Sequence, residues 1–129
     1  MKEFSAGVHA LVFKNNEYLF LKRHIDDKYD PGCWDLPGGG INFNEQPLEA
    51  VIREVKEEVG IHIKPGKVLN VFGIPSEGGW SIEIYIEGKY LRGKIKLSSE
   101  HSNFIWVKKD EIKLLKPKSI HFKNIELFI

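Results

Sequence analysis

The sequence predicts an α/β domain, on three observations. Residues 39–61 run from a glycine-rich turn into an amphipathic helix, with Pro47 in its first turn and Gly60 at its end. Ahead of it, residues 5–13 and 18–22 are rich in Val, Leu and Phe and read as two strands joined by the turn Lys14-Asn15-Asn16-Glu17. Behind it, Trp80, Ile82, Ile84 and Ile86 alternate with Ser81, Glu83, Tyr85 and Glu87. That is the period of a half-buried strand, in which Trp80 and Tyr85 read as packing residues. The chain has 129 residues and no repeats, low-complexity tracts or linkers, so residues 1–129 are expected to form one domain around a substantial core.

Composition narrows the function classes. With 42% hydrophobic and 29% charged residues, the chain has the make-up of an ordinary globular protein. A formal net charge of +1 argues against a dedicated nucleic-acid binder, which carries a basic excess. A single cysteine, Cys33, excludes an intrachain disulfide and is compatible with a reducing compartment. The apolar run 8–13 is too short and too interrupted for a membrane span or a signal peptide. The expected setting is the cytoplasm.

Taken in order, the second strand ends in Lys22, Arg23 and His24, where basic side chains either meet phosphates or remain solvated edge charges. Residues 25–32 form a polar loop closing on Pro31-Gly32, and the run WDLPGGG follows at residues 34–40. Its glycines let the backbone approach a ligand closely, while Trp34 reads as packing rather than as a base-stacking platform. Asn44, ahead of the helix, is a residue that tolerates left-handed backbone. Past the helix, residues 61–63 and 68–74 read as two short strands, and 75–79 as a turn. Residues 98–101 form a loop before the strand-like 104–107. Pro117 breaks the chain, and residues 119–129 read as a short terminal helix with Ile120, Ile125, Leu127 and Phe128 packed inward.

The helix carries the chemistry. Leu48, Val51, Ile52, Val55 and Val59 recur at helical spacing and mark a buried face. Glu54, Glu57 and Glu58 sit at i, i+3 and i+4 on another face, read as nearly opposite the apolar stripe. Three like charges repel one another near a helix C-terminus that itself disfavours anions. One resolution is a plain solvated face. The other is a cation in front of the carboxylates, and all-oxygen ligands then point to Mg²⁺ or Mn²⁺.

The wider stretch resembles the Nudix hydrolase signature. In that signature a glycine is followed after set intervals by a glutamate and by Arg-Glu-apolar-x-Glu-Glu-x-Gly-apolar. Here those positions are Gly39, Glu45, Arg53, Glu54, Val55, Glu57, Glu58, Gly60 and Ile61, without a slip in spacing. The WDLPGGG run and residues 98–112 resemble the flanking segments of the family. Asn44 departs from the glycine many members carry there. The resemblance implies an α/β/α sandwich with a mixed central sheet and the box, residues 39–61, as loop–helix–loop. It implies metal-dependent hydrolysis of a nucleoside diphosphate linked to another group. By the same resemblance the Gly38 carbonyl is a metal ligand, Arg53 orients carboxylates, Glu45 supports the site, and Glu100 completes the metal site or acts as base. Glu57 and Glu58 are expected to hold metal, Glu54 to share in the coordination or to accept the proton of the water, and Glu100 to be the competing base. Arg23 is a candidate for a substrate phosphate.

Substrate identity stays open among ADP-ribose-type compounds, nucleotide sugars, normal or oxidised nucleoside triphosphates and dinucleoside polyphosphates. Pro75, fifteen residues beyond Gly60, is similar to a marker of ADP-ribose-cleaving members, although a turn before a hairpin wants proline anyway. Two other classes share the fold: a non-catalytic nucleotide- or nucleic-acid-binding module, and a prenyl diphosphate isomerase, for which Cys33 would have to reach the site. The expected partner is a small nucleotide, with no membrane. Many relatives are homodimers, but no stretch here announces an interface.

Overall fold

The computed structural model describes residues 2–129. Strands β1 (Glu3–Lys14) and β2 (Glu17–Arg23) form the expected hairpin, with Asn15 and Asn16 both at positive φ in the turn. Two short strands follow, β3 (Trp34–Asp35) and β4 (Gly38–Gly40), then helix α1 (Pro47–Val59). The long hairpin β5 (His62–Ser76) and β6 (Gly79–Arg92), strand β7 (His101–Lys108), a 3-10 turn (Lys109–Leu114) and helix α2 (Ile120–Glu126) complete the chain. Among the described residues no helix is long and apolar enough to cross a membrane.

The sheet is mixed. Its order is β3-β2-β1-β6-β5, with β4 added to β1 and β7 to β2. The β1–β6 pair is parallel; every other pair is antiparallel. Side chains alternate along β1, so Val8, Ala10 and Val12 join one core with α1, while Leu11 joins a second core with Phe122 and Ile125 of α2. A helix therefore covers each face, which is the sandwich the resemblance implied.

Four local readings are corrected. In α1 the buried face is Ala50, Val51, Val55 and Val59 together with Glu58, while Leu48 and Ile52 are 48% and 38% exposed. Glu58 lies seven residues after Val51 and so only about 20° round the helix from it; a stripe drawn through Leu48 and Ile52 was centred too far to one side. In β6, Tyr85 is buried as expected, but Trp80 is 43% exposed and the polar Ser81 and Glu83 point inward with Tyr85. The two short strands after α1 are one strand, β5, whose pairing with β6 shifts register between Pro65 and Asn70. In α2, Phe122 and Ile125 are buried, while Ile120, Leu127 and Phe128 are exposed.

Gly60 ends α1 at φ 77°, its N–H bonded to the Lys56 carbonyl, as its place in the sequence predicts. A side chain is strained in that conformation. Gly60→Ala should lower stability by about 1–2 kcal/mol, measured by urea unfolding. An unchanged midpoint would mean that the helix end relaxes freely.

Candidate active site

The site is built where β4 passes between β1 and α1. Gly38, Gly39 and Gly40 pair with His9, Val8 and Gly7. A Cβ on Gly39 would lie 2.5 Å from the Glu54 carboxyl carbon, and one on Gly38 would lie 2.5 Å from His9 Nδ1. Glycine at 38 lets the strip lie against β1, and glycine at 39 leaves room for the Glu54 carboxylate to reach it. The Gly38 N–H donates to Glu58 Oε1 at 3.1 Å.

Arg53 gathers the other acids. Its Nε and Nη2 donate to the two oxygens of Glu45 at 2.7 and 2.9 Å, a bidentate pair. Its Nη1 reaches Glu54 at 2.7 Å and Glu57 at 3.2 Å, and Nη2 also bonds the Gly40 carbonyl at 2.9 Å. The Arg53 hydrogen bond, then that of the Asn42 N–H, holds the Glu45 carboxyl down at about 2. Asn44 turns the chain toward Glu45 at φ 65°, keeping the turn despite the missing glycine.

Glu58 stands apart. It is 5% exposed, and His101 Nδ1 comes within 3.4 Å of its Oε2 without making a hydrogen bond. Burial first, then the charge of Glu100, push its carboxyl up to about 9. One oxygen or ring nitrogen from each of Glu58, Glu100 and His101 lies within 4.8 Å of the others. A divalent ion fits these residues: two carboxylates and one imidazole surround a buried oxygen whose negative charge is otherwise suppressed. Glu54 and Glu57 lie beside the glycine strip, outside that three-residue cluster.

Glu58, Glu100, His101 and the glycine strip line a cavity of about 300 Å³. Four acids line it, Asp35, Glu58, Glu83 and Glu100, against one arginine, Arg23. The Arg23 guanidinium already donates to Asp35, Asp27 and the Tyr29 carbonyl at 2.8 to 2.9 Å, so its charge is matched within the protein. Cys33 is not among the lining residues. Sequence reasoning missed the far wall, where His9, Glu83 and His121 converge. The available signal was a lone histidine in the apolar run of β1 and a glutamate in phase with Tyr85.

A profile of the NUDIX domain matches residues 3–128, so the chain belongs to the Nudix family. An ADP-ribose pyrophosphatase of Methanocaldococcus jannaschii is 33% identical over 100 residues, covering 74% of this chain and 57% of that protein. The 8-oxo-dGTP diphosphatase of Escherichia coli is 39% identical over 61 residues, 47% of this chain and 46% of that one. The chain thus spans about half the length of these two relatives. The crystal structure of a MutT protein from Methanosarcina mazei superposes with a TM-score of 0.84 at 32% identity, covering 98% of this chain and 92% of that one.

Glu58 makes stability depend on pH. The folded protein keeps this proton above the ordinary value of 4.5, so its contribution is full below 4.5 and is lost as pH rises toward about 9. In chelator, the melting temperature of the wild type should therefore decline across that window more steeply than that of Glu58→Gln. Parallel profiles would show that Glu58 ionises freely.

Proposed function

We propose that this chain hydrolyses a phosphoanhydride bond in a nucleoside diphosphate derivative with the help of Mg²⁺ or Mn²⁺. The observation that carries the reading is the charge of the cavity: its acids outnumber its single, already paired arginine, and Glu58 of the box lines it together with the glycine strip. A diphosphate enters such a site only with divalent cations. Glu57, Glu58 and the Gly38 carbonyl would hold them, with Glu54 sharing. A bound ion offsets the charge of the diphosphate and polarises its phosphorus.

The chain's own groups divide the remaining work. Arg53 fixes Glu54 and Glu57 in place by direct ion pairs. Glu100 is an exposed loop carboxylate without an ion-pair partner among the described residues, and it stands beside Glu58. We assign Glu100 to accept the proton of the attacking water. Glu45 acts on the site through Arg53.

Among substrates, ADP-ribose-type compounds come first, because the relative named for that substrate aligns over most of the chain. Oxidised nucleoside triphosphates follow, from the shorter alignment with the 8-oxo-dGTP diphosphatase. A pure binding module fits less well, since every box carboxylate is present. The isomerase reading loses its nucleophile, because Cys33 lies outside the cavity lining.

A product screen with Mg²⁺ and with Mn²⁺ over ADP-ribose, nucleotide sugars, dinucleoside polyphosphates and triphosphates tests this. One class should yield two phosphate-bearing fragments, and chelator should abolish the turnover. Glu100→Gln should lower kcat by about 10²–10⁴-fold while the protein stays folded. Metal-dependent turnover that survives Glu57→Gln would overturn the assignment of the ligands, and tight binding without products would move the chain to the module class.

A further inference from the structure

On the far wall of the cavity stands a group that the carboxylate site does not use. The parallel register sets Val8 beside Ile84 and His9 beside Tyr85, so His9 of β1 and Glu83 of β6 face the same side of the sheet, and α2 brings His121 over them. His9 Nε2 lies 3.1 Å and His121 Nε2 3.8 Å from the same oxygen, Glu83 Oε1. Ligands held at about 2.0–2.1 Å around one tetrahedral ion stand ~3.4 Å apart, so these separations straddle the spacing a single ion requires. Both Nε2 atoms lie toward one carboxylate oxygen. The two imidazoles stack with ring centroids 3.7 Å apart, closer than the roughly 5 Å of two rings spreading from one tetrahedral ion, so binding of an ion opens the stack.

We propose that His9, Glu83 and His121 form a second metal site, for a borderline transition ion such as Zn²⁺ or Co²⁺. Two imidazoles and one carboxylate suit such ions, whereas Mg²⁺ prefers the carboxylate-rich side of the cavity around Glu58 and Glu100.

The surroundings have the features of a ligand shell. His121 Nδ1 meets the Tyr85 hydroxyl at 2.8 Å, and Asn124 Nδ2 donates to that hydroxyl at 3.2 Å, which fixes the ring with Nε2 inward. The other Glu83 oxygen accepts from the Ser81 hydroxyl at 3.0 Å. Gly7 clears the space the carboxylate occupies, since a Cβ there would collide with both of its oxygens. Charge points the same way. Glu83 is 8% exposed, and among the described residues its ion-pair partners are His9 and His121. A buried carboxylate set against imidazoles is short of fixed positive charge, and a divalent ion supplies it.

The test is a Co²⁺ titration of the full chain in excess Mg²⁺, read by the visible d–d absorption of the ion and by the histidine ring resonances in NMR. One equivalent should bind and shift the resonances of His9 and His121. Tyr85→Phe, which keeps the ring and removes the hydroxyl, should weaken binding by about tenfold or more. His121→Gln, at a position only partly buried, should weaken it further, and Glu58→Gln should leave it unchanged. Circular dichroism verifies that each variant is folded. Failure of Co²⁺ to bind, equal binding by wild type, Tyr85→Phe and His121→Gln, or loss of binding in Glu58→Gln alone would overturn the proposal. Since the readout is binding, it stands or falls separately from the hydrolase reading.

Discussion

The constraint on which this structure depends is steric: the strand β4 must pass between β1 and α1, with Gly38 pressed against β1 and Gly39 against Glu54 of the helix. Because Gly38 carries no Cβ the strip lies close on Val8 and His9 of β1, and because Gly39 carries none the Glu54 carboxyl of α1 rests on it, while Glu58 accepts the Gly38 N–H. The sheet and the carboxylates are thereby locked into one frame. The cores above and below the sheet hold that frame rigid, since Val51, Val55 and Val59 pack on Val8, Ala10 and Val12 from one side while Phe122 and Ile125 close the other.

Charge is organised in two tiers. On the solvent side of the strip, one guanidinium serves Glu45, Glu54 and Glu57, so three acids coexist without mutual expulsion. On the inner side, Glu58 sits among Glu100 and His101 without a guanidinium or ammonium partner among the described residues, and its charge is suppressed by burial. The first tier is complete within the protein; the second asks for something from outside. The difference follows from helix geometry, since Arg53 meets Glu57 one turn on while Glu58 turns toward the sheet.

Much of this was legible in the sequence. The hairpin turn at Asn15-Asn16, the helix limits at Pro47 and Gly60 and the left-handed Asn44 rest on local rules, and the structure shows each of them; the pairing of Arg53 with carboxylates came from the resemblance instead. Family membership was legible for the same reason, because the box is a contiguous run. What escaped depends on tertiary placement. The roll of α1 that buries Glu58 and exposes Leu48 is decided by packing against the sheet, not by the helix alone. The inward turn of Ser81 and Glu83 follows from a parallel pairing of β1 with β6 across some seventy residues, and no local pattern announces it. Alternation in β6 marked two faces correctly but left open which one was wet, and the apolar Trp80 and Ile82 took the exposed side.

The register shifts of β5 have a bearing on colloidal behaviour. This strand closes one edge of the sheet and is fifteen residues long, a length that would ordinarily invite another chain to add itself. Its irregular pairing between Pro65 and Asn70 twists the edge, Pro65 and Pro75 withhold two N–H donors, and Lys64 and Lys67 place charge along it. The hairpin can therefore be long without offering a straight template to its neighbours, and the molecule has an edge that resists fibrous stacking at high concentration.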